Sequence, residues 1–371
     1  MNYLWASMGI IFLILIASVA AIYLFMHNPS FGAAASGHEL KKIHQSSSFR
    51  NGQFQNLSPT PSLSENASFF KVFKKFFLEK HDRKRPESPI PSVKTDLLNL
   101  DAGKNILVWF GHSSYFIQLN DKTILVDPVF SGNASPLNFT TRSFEGTDIY
   151  QVEDLPKIDY LFLTHDHWDH LDYRTLLKLK PKVNKIITGL GVGTHLKRWG
   201  YDQALITELD WDQQKNLDEG FIVNAMPARH FSGRGFKRNG TLWSSYVLTA
   251  GKEKIFIGGD SGYDQHFAEI GDRFGPFQLV ILENGQYNSD WKYIHMNPEE
   301  TVQAAIDLRA TKLLPVHWAK FALSMHPWDE PILRITKEAA IRNVNLLHPR
   351  IGEAVDLDQN KAFDCWWEGI S

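Results

Sequence analysis

The apolar positions of this chain fall into three regimes. Met8 to Met26, MGIIFLILIASVAAIYLFM, is almost wholly apolar over a length that crosses a bilayer. Asn28 to about Glu65 has no sustained apolar period and is rich in Ser, Asn, Gly and Pro, so it reads as a linker or lightly ordered arm. From about Leu100 onward, short β-branched and aromatic runs are punctuated by turn residues, the signature of strands. Between the last two regimes, Phe69 to Arg85 has a helical period. Phe69, Phe73, Phe76 and Phe77 share one face, and Lys71, Lys74 and Lys75 lie off it. The favoured expectation is that this Phe face docks on the main domain; the alternative is an interfacial helix lying on anionic lipid. Pro86, Pro89 and Pro91 then end the helix.

The strand regime opens with KNILVWFGHSSYFIQLNDKTILVDPVF, in which LNDKT is the expected turn. KIDYLFLTH is a short apolar strand, RTLLKLKPKV a short helix broken at Pro181. KIITGL, FIVNAMPA, WSSYVLTAG, KIFIGGDSG, FQLVILENG and KLLPVHW follow as strands. NPEETVQAAIDLRA opens with Asn297 as N-cap, Pro298 at the first helical position and Glu300 two residues on, a capping-box start. Strand clusters interleaved with helices predict two sheets covered by helices, not a doubly wound nucleotide fold. No internal repeat and no phosphate-cradling glycine motif stands out.

Charge sharpens the reading of the N-terminus. No Asp, Glu, Lys or Arg occurs from Met1 to His38, and Trp5 and Tyr23 sit toward the two ends of the apolar run, where interfacial aromatics belong. A cleaved signal peptide, with GAAASG as its processing site, is the competing reading. The lack of a basic n-region and the length of the run favour an uncleaved single-pass anchor. Lys41, Lys42 and Arg50 follow the span, so the positive-inside rule leaves the bulk of the chain on the cytoplasmic side. The remaining composition is globular, 43% hydrophobic with a net charge of −2, which argues against nucleic-acid binding. Cys365 is the only cysteine, so no intrachain disulfide forms; it is expected to be a packing residue rather than a nucleophile.

One stretch does not fit a plain strand end. In YLFLTHDHWDHLDY, three histidines and three aspartates crowd within eight residues behind a buried run. Burying such groups without partners costs several kcal/mol each, so something must satisfy them. His165 and His167 are two apart and can share one ion; Asp169 and His170 can face a second. Imidazole with carboxylate suits zinc or a related divalent ion. Two ions about 3.5–4 Å apart can hold both attacking and leaving oxygens in a hydrolysis. Further ligands are therefore required, and His230, Asp260 and His317 each follow a predicted strand. Asp166, inside the motif, reads as an exposed or capping carboxylate.

The order HxHxDH, His, Asp, His resembles the metallo-β-lactamase superfamily. WFGHSSYFI, LVDPVFSGNASP, LTHDHWDHLDY, GGDSGY, RFGPFQLVIL, YIHMNPEETV and PVHWAKFAL are similar to motifs of N-acyl-phosphatidylethanolamine-hydrolysing phospholipase D and its bacterial relatives. The similarity runs from about Lys104 to the low 320s and leaves out the anchor and the arm. It implies an α/β (α+β) fold, an αββα sandwich preceded by a transmembrane helix. The domain organisation is then 1–28 anchor, 29–99 linker and amphipathic arm, and 100–371 hydrolase domain. It also implies two Zn2+ per chain: His165, His167 and His230 on the first, Asp169, His170 and His317 on the second, with Asp260 bridging. A hydroxide held between the ions would be the nucleophile, attacking a phosphodiester. His295 matches a histidine near the substrate head group, and His112 and Asp127 match positions behind the metals that orient ligands.

The sequence departs from the lipase-type pattern at Ile294, where that pattern has Gln, and in LNFTTRSFEG, so head-group and acyl specificity do not carry over. The resemblance implies a membrane-anchored hydrolase of phosphodiesters, with (N-acyl)phosphatidylethanolamine-like lipids as substrates. The alternatives are a lactone or other ester hydrolase with the same metal centre and a non-enzymatic envelope protein, the latter disfavoured because every ligand is present. A nuclease is disfavoured by the balanced charge. The expected partners are the lipid substrate, the membrane and a second copy in a homodimer.

Overall fold

The computed structural model describes residues 2–370, with the side chains of Asn2, Leu4 and Phe77 outside the description. Helix α1 (Asn2–Met26) is exposed from Trp5 through Phe25, and Trp5–Met26 is long and apolar enough to cross a membrane. Helix α2 (Gly37–His44), the hairpin β1 (Phe49–Arg50) and β2 (Gln53–Phe54), and helix α3 (Phe69–Leu78) follow.

Strands β3 (Ile106–Trp109), β4 (Tyr115–Leu119) and β5 (Lys122–Val126) form an antiparallel meander that turns at Asn120 and Asp121, as LNDKT predicts. β6 (Ile158–Leu163), α4 (Tyr173–Leu179), β7 (Val183–Gly189), α5 (Val192–Arg198) and β8 (Ile206–Leu209) extend the sheet in parallel. The second sheet contains β9 (Gln214–Asp218), β10 (Phe221–Met226), β11 (Ser245–Ala250), β12 (Glu253–Ile257), β13 (Leu279–Glu283) and β14 (Leu313–Val316), with α6 (His266–Phe274) and α7 (Pro298–Asp307) as crossovers. Helix α8 (Glu330–Arg342) packs beside α7, and β15 (Ala354–Asp356) closes the first sheet beside β3. Both hydrogen bonds of the capping box at Asn297 and Glu300 are made.

Strand β6 shows why these runs are apolar on both faces. Tyr160 and Phe162 point into the core shared with Tyr246 and Leu248 of the opposite sheet. Leu161 and Leu163 point the other way, onto Leu176 and Leu179 of α4 and Leu196 of α5. A strand between a sheet and a helix layer has no wet face, so its sequence does not alternate. The layers are αββα. Direction places the site: β3, β5 and β6 run one way in the first sheet, and β10, β12, β13 and β14 run one way in the second. Their C-terminal ends share one edge of the sandwich.

Four expectations are corrected. Residues 29–65 do not behave as a free linker. Ile43 and Phe54 are buried against Leu190, Trp211, Leu242 and Trp243, so the segment is a strap across the body. Its few apolar anchors are too irregularly spaced to show a period. The Phe face of α3 is not buried as a whole: Phe69 and Phe73 are exposed, as is the neighbouring Phe70, while Val72, Lys75 and Phe76 are half-buried. The expected place of Phe77 lies outside the described residues. The helix also stops at Leu78, where Glu79 turns extended, well before Pro86. Cys365 is exposed rather than packed; the packing at this end comes from Trp366, stacked on Trp318.

Candidate metal centre

The C-terminal ends of seven strands deliver the chemistry to that one edge. His112 follows β3, Asp127 follows β5, and the cluster His165 to His170 follows β6. His230 follows β10, Asp260 follows β12 and His317 follows β14; Glu283 ends β13. His112, Asp127 and His317 all adopt positive φ, at 52°, 40° and 69°. For residues with a Cβ this backbone is disfavoured and persists where surrounding contacts over-determine it. Those contacts are visible: the His112 N–H donates to the Trp318 carbonyl at 2.9 Å, and the His317 N–H donates to the His112 carbonyl at 2.9 Å.

Two groups of ligand atoms lie side by side. In the first, Nε2 of His165 is 2.8 Å from Nδ1 of His167, and Nε2 of His230 is 3.2 Å from that same Nδ1. Nδ1 of His230 lies 2.9 Å from the Ile294 carbonyl, which fixes the proton there and leaves Nε2 as a lone pair aimed inward. A main-chain carbonyl does this, so the Ile294 side chain can differ without disturbing His230. In the second group, Nδ1 of His170 donates to Asp127 Oδ2 at 2.8 Å, which turns Nε2 toward Asp169 at 3.5 Å. Asp169 Oδ2 is held by Nε2 of His112 at 2.8 Å, and Nδ1 of His317 lies 2.9 Å from Ser113 Oγ.

Asp260 joins the two groups. Its Oδ2 lies 3.1 Å from His170 Nε2, 3.7 Å from His230 Nε2 and 3.8 Å from His165 Nε2, and its Oδ1 lies 3.2 Å from His317 Nδ1. Gly259, at φ +62°, makes the sharp entry to Asp260 possible.

The arrangement fits divalent cations. His170 Nε2 and Asp260 Oδ1 are buried and make no hydrogen bond among the described residues, although each has a neighbour within 3.2 Å. Burial holds His165, His230 and His317 well below the ordinary imidazole value and brings His167 down to about 4. These rings are neutral at pH 7, the form that ligates metal. His170 goes the other way. Burial alone would lower it, but the carboxylates of Asp260 and Asp169 outweigh that and hold it well above its usual value. Burial pushes Asp260 up to about 6 against the pull of His170. A proton on His170 and a divalent cation answer the same local excess of negative charge. His165, His167, His230 and Asp260 could hold one ion; Asp169, His170 and His317, with His112 behind them, could hold another.

The remaining candidates fall around this centre. Asp127 also accepts from the Thr164 N–H at 2.9 Å and from Thr164 Oγ1 at 2.6 Å, so it braces the start of the motif as well as His170. His295 stands over the site, its ring centroid 5.0 Å from that of His230 and 5.2 Å from that of His317. Its partner escaped the sequence reading: Glu283 Oε2 lies 2.5 Å from His295 Nδ1, and Glu283 Oε1 accepts from the N–H groups of Ser261 and Met296. Glu283 ends a predicted strand as Asp260 follows one, so the same strand-end reasoning could have found it.

Asp166 is corrected from an exposed or capping group to a buried hub. It accepts from the Gly233 N–H at 2.6 Å, Thr241 Oγ1 at 2.9 Å and His195 Nε2 at 3.2 Å. Arg234 donates to the carbonyls of Asp166 and Leu171, both at 2.8 Å, and of Ser30 at 2.9 Å, with Trp168 stacked beneath its guanidinium. The centre opens into a cavity of about 690 Å³, lined by Phe31, Phe69, Phe231, Phe236 and Ile294 and carrying Arg238 on its wall.

Two stacked sheets with paired His/Asp clusters at one strand-end edge define a metal-dependent hydrolase of αββα architecture. A model of the beta-lactamase superfamily domain matches residues 122–318, and the chain belongs to the metallo-β-lactamase superfamily. An uncharacterised protein of Mycobacterium tuberculosis is 35% identical over 347 residues, 92% of this chain and 93% of that protein. N-acyl-phosphatidylethanolamine-hydrolyzing phospholipase D 1 of Caenorhabditis elegans is 28% identical over 252 residues, 63% of this chain and 69% of the relative. Among solved structures, an isothiocyanate hydrolase from Delia radicum gut bacteria shares the fold, with a TM-score of 0.53 at 20% identity, covering 67% of this chain and 98% of its own.

Proposed function

We propose that this chain is a membrane-anchored two-zinc hydrolase that cleaves phosphodiesters of glycerophospholipids in the manner of a phospholipase D. The observation that carries the reading is Asp260, a single buried carboxylate within 3.8 Å of ring nitrogens from both ligand groups, at the floor of an apolar cavity. The nematode phospholipase D relative supports the substrate class. The exposed apolar helix α1 supports the anchor, and Lys41, Lys42 and Arg50 after it favour a hydrolase body on the cytoplasmic face.

His165, His167, His230 and Asp260 would hold one zinc, and Asp169, His170, His317 and Asp260 the other. Bound there, two zinc ions supply an activated water and Lewis-acid stabilisation of charge developing on phosphorus. The chain supplies the rest. Arg238 on the cavity wall offers positive charge to the phosphodiester. Burial raises the Glu283 carboxyl well above its usual value and lowers the His295 imidazole, and both directions favour a neutral pair in which Glu283 holds the shared proton and Nε2 of His295 carries its own. As the bond from phosphorus to the head-group oxygen breaks, Nε2–H protonates that oxygen and Nδ1 takes the proton of Glu283. Phosphatidic acid and the free head-group alcohol are the products.

The test is elemental analysis of the detergent-purified chain together with phosphatidic acid release from plain and N-acylated phosphatidylethanolamine. Two zincs with phosphatidic acid release are expected. Two zincs with ring opening of a lactone and no phosphatidic acid would replace this reading with that of an ester hydrolase.

A further inference from the structure

The mouth of the cavity is built by three segments that are remote in sequence and alike in chemistry. Phe25 and Met26 come from the end of α1, Phe69 and Val72 from α3, and Phe236 from the loop after His230. Outside the mouth, Phe69, Phe70 and Phe73 of α3 are 74%, 79% and 56% exposed, and Phe236 is 85% exposed. Large exposed apolar side chains gathered around one cavity mouth mark a docking face.

Two contacts orient the α3 part of this face. Ser68 Oγ caps the helix by accepting from the Lys71 N–H at 3.3 Å, and Lys75 Nζ is fixed to Asp290 Oδ2 at 2.6 Å. Lys71 and Lys74 flank the exposed phenylalanines, and Lys237 and Arg238 flank Phe236; all four are exposed. An apolar stripe bordered by cations matches the surface of an anionic leaflet, where rings enter the acyl boundary and ammonium groups meet phosphate.

Continuity fixes the occupant as a bilayer rather than a protein. Helix α1 ends at the same rim. Phe25 packs on Phe31 with centroids 5.2 Å apart, and Phe31 on Trp168 of the histidine motif at 5.0 Å, so the end of the helix is fastened to the motif loop. We propose that α3 and the loop bearing Phe236 form a second bilayer contact, which seats the cavity mouth in an anionic leaflet. The proposal rests on the reading that α1 spans that bilayer. A lipid then passes from leaflet to metal centre without crossing water, and the leaflet itself closes the cavity.

The experiment uses the full chain with Cys365→Ser, which removes the only cysteine, reconstituted in phosphatidylcholine vesicles containing phosphatidylserine. Nitroxide labels on Phe70→Cys, Phe236→Cys, Ile14→Cys and Lys252→Cys are read by collision with oxygen and with a water-soluble nickel chelate. Lys252 is a highly exposed side chain on the β11–β12 turn and reports water. Labels at 70 and 236 are expected to favour oxygen, as at 14, and to shift toward nickel when phosphatidylserine is omitted. Nickel-favoured collision at 70 and 236 with oxygen-favoured collision at 14 overturns the second contact and leaves the anchor standing. Shielding of 70 and 236 from both reagents means that a protein covers the face, and the proposal is wrong. Oxygen at 70 and 236 with nickel at 14 shows that the face meets the bilayer without a spanning α1, which overturns the proposal of a second contact beside the anchor. None of these readouts requires turnover, so failure of the phospholipase reading is distinguishable.

Discussion

Asp260 and Glu283 are carboxylates one strand apart with different tasks. Asp260 lies within 3.8 Å of ring nitrogens in both imidazole groups, so Asp260→Asn removes charge from both at once. That variant is expected to stay folded, lose at least one metal by elemental analysis and lose nearly all hydrolysis. Retention of two metals with full turnover would falsify the bridging role. Glu283 hydrogen-bonds to His295 and to two backbone N–H groups. Glu283→Gln keeps the shape but has no proton to relay, so kcat is expected to drop on the order of 10²-fold with metal content unchanged. His295→Ala should cost about the same, and the double variant no more than either single one, because the two act as a unit. Additive losses in the double variant would separate them.

At the scale of elements, the strap after α1 and the loop of the histidine motif are one unit. Arg234 ties them, donating to Ser30 on one side and to Asp166 and Leu171 on the other. Ala33 adds an N–H to His195 Nδ1 at 3.0 Å, and His195 holds Asp166. Arg234→Met leaves three carbonyls without their donor. Its expected effect is a 10–100-fold loss of metal affinity in chelator competition, since it acts through the backbone between ligands. Unchanged affinity would show that the loop holds its shape alone. This unit was hidden in the sequence, whereas the strands and the seven His and Asp residues that gather at their ends were legible. Ligands at strand ends follow apolar runs whose period is set by burial, so KIDYLFLTH or KIFIGGD announces both the strand and the group behind it. Strap residues bind through main-chain atoms and through lone side chains such as Asn56, which bonds the His230 N–H and carbonyl at 3.0 and 2.7 Å. Contacts of that kind leave no period. The exposure of Phe69 and Phe73 on α3 was missed for a related reason: helical period shows that a face is apolar, not which phase covers it.

For the molecule as a whole, the same burial that readies imidazoles for metal makes the metal-free protein sensitive to acid. His167 and His266 are both brought down to about 4, from about 6.5 in an unfolded chain, chiefly by burial. Between those values the unfolded state binds more protons than the folded state, so stability rises with pH and falls as pH drops through 6.5, levelling for these groups below about 4. His170 has the opposite sign. Held well above its usual value, it contributes stability that is complete below 6.5 and is lost as pH rises through its folded value. It cannot offset the loss on the acid side; the Asp260 and Glu283 carboxyls, raised by burial, offset part of it, but His165, His230 and His317 are lowered too and add to the loss. Thermal melts of the chelator-treated chain should therefore show Tm falling from pH 7 to pH 4.5. His266→Phe, which removes one buried titrating ring away from the proposed ligands, should flatten part of that slope. Restoring zinc should raise Tm at pH 7 and steepen the acid loss, because protons then compete with metal for the same nitrogens. A Tm that rises steadily as the metal-free protein is acidified over this interval would mean that these rings are not buried in neutral form, and the site would then lack the unprotonated donors that two ions require.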